Sequence, residues 1–207
     1  MAKIATEIML GKKISEYSYQ EYNPEKEYYY VKTPVFSFNK LVGVESYLSP
    51  EMKSTGEAIG ISNNLEEAIM KSMIAAGIPI TDHGTIFVSV YDDDKEEILP
   101  IIKEFYNLGF NIESIDGTAT FLKDNGIHVR ILKNLSYYDL IRQGHFTYII
   151  NRINVNQHSS HLDDYGIRHV ATECNVPVFT CLDTVNALIK VIKQISIKVK
   201  DLNEFYN

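Results

Sequence analysis

The five residues "DGTAT", Asp116 to Thr120, stand directly after an apolar run. A glycine at a strand end lets the backbone turn closely. A helix starting there offers unpaired N–H groups and the positive end of its macrodipole. With the Thr118 hydroxyl added, Gly117 and Thr118 have the chemistry of an anion cradle. The same residues also suit a plainer use, with Gly117 a turn residue and Thr118 an ordinary N-cap. Their company bears on the choice. Ser89, Lys95, Lys133, Asn134 and Asn151 stand at or just after the ends of other apolar runs. In a parallel sheet these ends share one edge, and polar groups converging on a Gly-Thr turn suit a phosphate-bearing small molecule.

Other chemistries are absent or have a plainer explanation. No GxGxxG follows the first regular strand, so a dinucleotide site is not expected. "GKK" at 11–13 lacks the upstream glycine of a P-loop, and GxSxG is missing. His158, His161 and His169 with Asp163 and Asp164 suggest either a metal cluster, since HxxH puts two imidazoles on one helix face, or a solvated helix start. No metal site is assigned. Cys174 and Cys181 form no CxxC pair and read as small core residues at a helix end and a strand end. "KVIKQISIKVK" places basic residues on one helical face, read as solvated.

The elements that must hold the edge follow from periodicity. From about Gly84, short apolar runs alternate with amphipathic stretches. "TIFVSV", "FNIESI", "VRIL", "FTYIIN" and "VPVFTC" read as strands. Between them lie helices at about Lys95–Leu108 (Ile98, Ile101, Ile102 and Phe105 on one side), "TATFLKDNG", "YYDLIRQG" and "HLDDYGIRHVATECN". "LDTVNALIKVIKQIS" closes the series. This alternation predicts an α/β fold, a Rossmann-like parallel five-stranded sheet flanked by helices. The first eighty or so residues lack that rhythm. A short helix spans Lys3 to Met9. "YYYVKTPVFSF" reads as a strand that Pro34 confines to an edge or a bulge. In "SNNLEEAIMKSMIAAG", Asn63 or Asn64 caps a helix that ends at Gly77.

Length and composition agree. The chain has 207 residues, 45% hydrophobic and 23% charged, with a formal charge of -7. Such a chain needs no disulfide staples. Its acidity argues against nucleic acid or an anionic membrane as the main partner. The charged, alternating N-terminus is not a signal peptide and no run is long enough to span a bilayer, so a cytoplasmic location is expected.

"VKTPVFSFNKLVGVESYLSPEMKSTGEAIG" resembles the end of the second ATP-grasp domain of the carbamoyl-phosphate synthase large subunit. "GTIFVSVYDDDKEEILPIIKEFYNLGFNIESIDGTATFLKDNGI" and "FTYIIN" resemble its C-terminal allosteric domain, of methylglyoxal-synthase-like fold. The likeness covers essentially the whole chain, rests on "SPEM…STGE…G" and on the serine, lysine and Gly-Thr spacing, and thins from about residue 152. It implies residues 1–77 as an incomplete α+β ATP-grasp end with its linker helix, and 78–207 as the allosteric domain. ATP and magnesium, manganese or potassium would be bound by upstream domains of the subunit, so this chain carries no catalytic residues and is inactive alone. Its implied partners are a nucleotide effector (UMP or IMP) or phosphate, ornithine, the rest of the large subunit, the glutaminase small subunit and a second copy of itself. The implied setting is arginine and pyrimidine biosynthesis.

Residue by residue, the effector pattern maps onto Ser89, Lys95, Thr118 and Asn151, with Gly117 supplying N–H groups. The family's loop lysine appears as Lys133-Asn134, shifted by one. Ile115 and Ile153 replace two expected threonines, which leaves ligand oxygens short of donors at roughly 1 kcal/mol or more each. Weak or absent nucleotide regulation follows, as in an arginine-pathway enzyme. Of the ornithine pattern, Leu48 and Thr180 match, while Thr33 replaces a carboxylate and Val178 a tyrosine. Two alternatives remain: a domain with a decayed site that serves only oligomer contacts, and methylglyoxal synthase itself. The latter needs an acid/base aspartate in a Gly-rich loop, for which only Asp139 is available.

Overall fold

A computed structural model describes residues 2–17, 27–36, 54–133, 136–152 and 162–194. Helix α1 (Ala2–Met9) leads into one 3-10 turn at Ile14–Glu16. Strands β1 (Tyr29–Val35) and β2 (Gly56–Ser62) pair antiparallel, Tyr29 opposite Ser62 and Val35 opposite Gly56. Among the described residues β2 is the only partner of β1, so Pro34 sits on an edge strand, where its missing N–H is tolerated. The second half of "PEMKSTGEAIG" is therefore strand, and residues 50–53 lie outside the described residues.

Helix α2 (Leu65–Ala75) covers one face of this pair. Asn64 is its cap, Oδ1 accepting the Glu67 N–H at 2.8 Å, and Gly77 closes it with φ +84°. Met73 of α2 reaches into the main core with Ile69 beside it, so the irregular first part is packed onto the second.

The regular part comprises β3 (Thr85–Ser89), α3 (Lys95–Asn107), β4 (Asn111–Ser114), α4 (Asp116–Asp124), β5 (Val129–Ile131), α5 (Ser136–Arg142), β6 (Tyr148–Asn151), α6 (Leu162–Glu173), β7 (Val178–Phe179) and α7 (Leu182–Lys193). All five strands pair parallel in the order β5-β4-β3-β6-β7. Strand order reverses between β3 and β6, and in such sheets ligands sit outside the strand ends at that switch.

Alternation along the strands sends side chains to two cores. Ile86 and Val88 of β3 and Tyr148 and Ile150 of β6 pack against α3, α4 and α7. The expected face of α3, Ile98, Ile101, Ile102 and Phe105, is the one buried. Phe87 and Ile149 point the other way, against Tyr137 and Ile141 of α5 and Ile167, Val170 and Ala171 of α6. Helices on both faces explain why these strands read as unbroken apolar runs.

A carboxylate lies inside the second layer. Glu113 of β4 is buried, its Oε1 3.2 Å from Arg130 Nη1 and 3.0 Å from His145 Nε2. Cys174 is half-buried against this layer, whereas Cys181 is exposed where α7 begins, so the core expectation for Cys181 is corrected.

Tyr148 ties the linker to the sheet. Its hydroxyl accepts the Thr81 N–H at 2.8 Å and lies 3.2 Å from the Thr81 carbonyl and 3.4 Å from that of Pro79. Burial holds its pKa above that of an ordinary tyrosine. Tyr148→Phe leaves these groups short of a partner and is expected to cost about 1–2 kcal/mol, read as a lower urea midpoint at unchanged slope.

Candidate functional site

The edge at the strand-order switch is built by the ends of β3, β4 and β6. Ser89 ends β3 and stands in register with Asn151, the end of β6. Both are buried, with 4% and 0% of their surface exposed. Each falls at the alternation of Phe87 and Ile149, toward α5 and α6. The Ser89 carbonyl accepts the Arg152 N–H at 3.2 Å.

After β4 the chain enters α4 at once, at Asp116. The N-cap is Ile115, whose apolar side chain has no acceptor to offer the first turn. Thr118 is thus the third residue of the helix and not its cap, which corrects the plainer sequence expectation. Its hydroxyl is buried, donating to the Val90 carbonyl at 3.1 Å and lying 3.4 Å from the Val90 N–H. This pairing stitches the end of β3 to the start of α4.

Lys95, the first residue of α3, crosses to α4, its Nζ 2.9 Å from the Gly117 carbonyl and 6.0 Å from the Phe121 ring centre. Its other contact is Asp92, in a 3-10 turn over Asp92–Asp94, at 2.6 Å. The hydrogen bond from Lys95 holds the Asp92 carboxyl below its ordinary pKa. Gly117 has room beside the lysine, since a Cβ there would lie 3.7 Å from Nζ.

Two arginines absent from the sequence reading complete the edge. Arg152 reaches back to Asp94 at 3.3 Å and Glu97 at 3.2 Å. Arg168 of α6 is buried and grips Asn151 twice, Nε to Oδ1 at 2.8 Å and Nη2 to the carbonyl at 3.1 Å. Its signal in the sequence was a cation flanked by Ile167, Val170 and Ala171, positions that the helix buries.

Ser89, Lys95, Gly117, Thr118 and Asn151 thus stand at or just after the ends of β3, β4 and β6, with Ser89 and Asn151 turned toward α5 and α6 and Lys95 joined to the first turn of α4. Lys133 does not join them. It is exposed beyond β5 at the sheet's outer edge, two strands and about 10 Å from β3. Asn134 and Ile153 lie outside the described residues, as does Leu48. Thr180 is exposed after β7, and Val178 is half-buried opposite Ile149. Thr33 donates to the Ser72 hydroxyl at 2.8 Å. Asp139 is exposed within α5, 3.5 Å from Arg142.

This β3–α3–β4–α4 succession, with its switch between β3 and β6, has a counterpart among known families. Residues 97–180 match the MGS-like domain. The match runs from within α3 to the end of β7. It takes in Gly117, Thr118 and Asn151, while Ser89 and Lys95 stand just ahead of it. The five-stranded parallel sheet flanked by helices agrees with an MGS-like fold.

No group of three or more His, Cys, Asp or Glu side chains able to hold a metal occurs among the described residues. His158 and His161 lie outside them, and His169 pairs with Glu173 at 3.3 Å. No described helix is long and apolar enough to cross a membrane.

Proposed function

We propose that the chain is the C-terminal regulatory region of a carbamoyl-phosphate synthase large subunit, without catalytic activity of its own. Its sheet edge receives the phosphate of a nucleotide effector of the UMP or IMP type. In this reading β1, β2 and α2 close an ATP-grasp domain whose ATP and metal sites lie in upstream parts of the subunit. The glutaminase small subunit is a partner of the whole assembly, ornithine binds weakly at best, and the setting is cytoplasmic arginine or pyrimidine synthesis.

One observation carries the effector reading. Lys95 Nζ bridges to the Gly117 carbonyl at 2.9 Å, beside an α4 first turn that no side chain caps, at the strand-order switch. A fixed cation next to unpaired helix N–H groups is the arrangement that a phosphate oxygen requires.

The expected result is a rise in melting midpoint of the chain with UMP or IMP, since a ligand that binds only the native state stabilises it by mass action. At a hundredfold excess over Kd the gain is about 2.7 kcal/mol. Lys95→Ala should abolish the shift. No shift at millimolar nucleotide would sink the effector reading.

A second reading is an effector-insensitive structural domain that serves oligomer contacts. It is favoured by the buried Thr118 hydroxyl, engaged with Val90, and by Asn151, which is wholly buried and held by Arg168.

A further inference from the structure

Lys95 and Arg152 already carry counter-ions drawn from a single short segment. Asp92 stands 2.6 Å from Lys95, and Asp94 and Glu97 stand 3.3 and 3.2 Å from Arg152. The Lys95 pair is lopsided. The lysine side chain is 15% exposed and fixed to Gly117, whereas the Asp92 side chain is 92% exposed. Asp92 thus occupies the solvent side of Lys95, the side from which a solute arrives.

Resting on the reading of this edge as an anion site, we propose that Asp92 is a built-in competitor for Lys95, which any anionic ligand must displace. The edge then selects a dianionic phosphate group over a monoanionic carboxylate. A monocarboxylate brings to Lys95 nothing that Asp92 does not already supply, and Asp92 supplies it within the same chain, at high effective concentration. A phosphate group brings up to twice the charge and three acceptor oxygens, enough to take Lys95 together with the first-turn N–H groups of α4. Asp93 and Asp116 add negative charge nearby and weigh further against weakly bound anions.

The test is calorimetric titration of the full chain with inorganic phosphate and with acetate, at pH 8 and low salt. It compares the unaltered chain with Asp92→Asn, Lys95→Ala and the double variant. Asp92→Asn is expected to tighten phosphate about threefold, the scale of one exposed ion pair, and to admit acetate. Both gains should vanish in the Lys95→Ala background, a dependence that a purely structural role for Asp92 would not produce. Phosphate binding lost in Lys95→Ala yet unchanged in Asp92→Asn would overturn the competitor and leave the anion site standing. Phosphate bound neither by the unaltered chain nor by Asp92→Asn would overturn the anion site, and the competitor with it.

Discussion

Phe87→Ala should lower the stability of the chain by about 3–5 kcal/mol, the range for removing a buried aromatic side chain from a core that cannot fully collapse. Phe87 is wholly buried at the centre of the layer beneath α5 and α6. Its ring stacks on Tyr137 at 5.6 Å and tilts against Phe146 at 5.3 Å. Those partners come from α5 and from the loop leading into β6, so one truncation loosens two elements at once. A domain of this size holds about 5–15 kcal/mol in total, so the loss is a large share of it. Urea unfolding at equilibrium checks the value. Ile98→Val, which removes one methyl from the opposite layer, should cost only about 0.5–1.5 kcal/mol. Equal costs for the two variants would show that Phe87 does not hold the layer together.

Gly60→Ala should be the most damaging single-atom addition in the first part of the chain. A Cβ at Gly60 would lie 1.9 Å from the Ala68 carbonyl oxygen, 2.5 Å from the Ser72 nitrogen and 3.0 Å from the Ala68 carbonyl carbon. All three are backbone atoms of α2 and cannot swing aside, so the helix must lift off the strand. Lifting it strains the Thr33–Ser72 hydrogen bond and draws Met73 from the core. The expected cost is about 3 kcal/mol or more, at the upper end for overpacking. Hydrogen exchange should show α2 and β2 losing protection together. Gly56→Ala is the control, because its Cβ would meet only the Val35 Cβ, at 3.8 Å. If the two variants melted alike, close backbone approach would not be what Gly60 supplies.

Much of this architecture was legible in the chain because burial on both faces writes itself as short apolar runs. "TIFVS" and "YIIN" became β3 and β6, and the predicted face of α3 is the buried one. Local capping was legible too: of the two candidates Asn63 and Asn64 the helix uses Asn64, and Gly77 is left-handed at its end. What the sequence withheld was contact between distant segments. Thr118 reads locally as a cap, but its hydroxyl goes to Val90, 28 positions away. Glu113 looks like the polar member of an alternating strand, yet its partners Arg130 and His145 lie 17 and 32 positions on. The placement of Ser89, Lys95, Gly117, Thr118 and Asn151 at or just after strand ends was legible because strand ends in a parallel sheet share one edge. Lys133 was grouped with them because sequence does not reveal strand order, and β5 proved to be the outermost strand. Arg168 needed the packing of α6 on β6 to be seen.

Strand β6 has a mechanical side. At its first residue, Tyr148, it holds the linker segment Pro79–Thr81, and at its last, Asn151, it is clamped by Arg168 at the candidate site. These two anchorages are three peptide steps apart, about 10 Å along a nearly inextensible strand. Flanked by β3 and β7, the strand has no slack to absorb a displacement along its axis. It behaves as a short tie-rod that joins the anchorage of Pro79–Thr81 to the Arg168 clamp on Asn151.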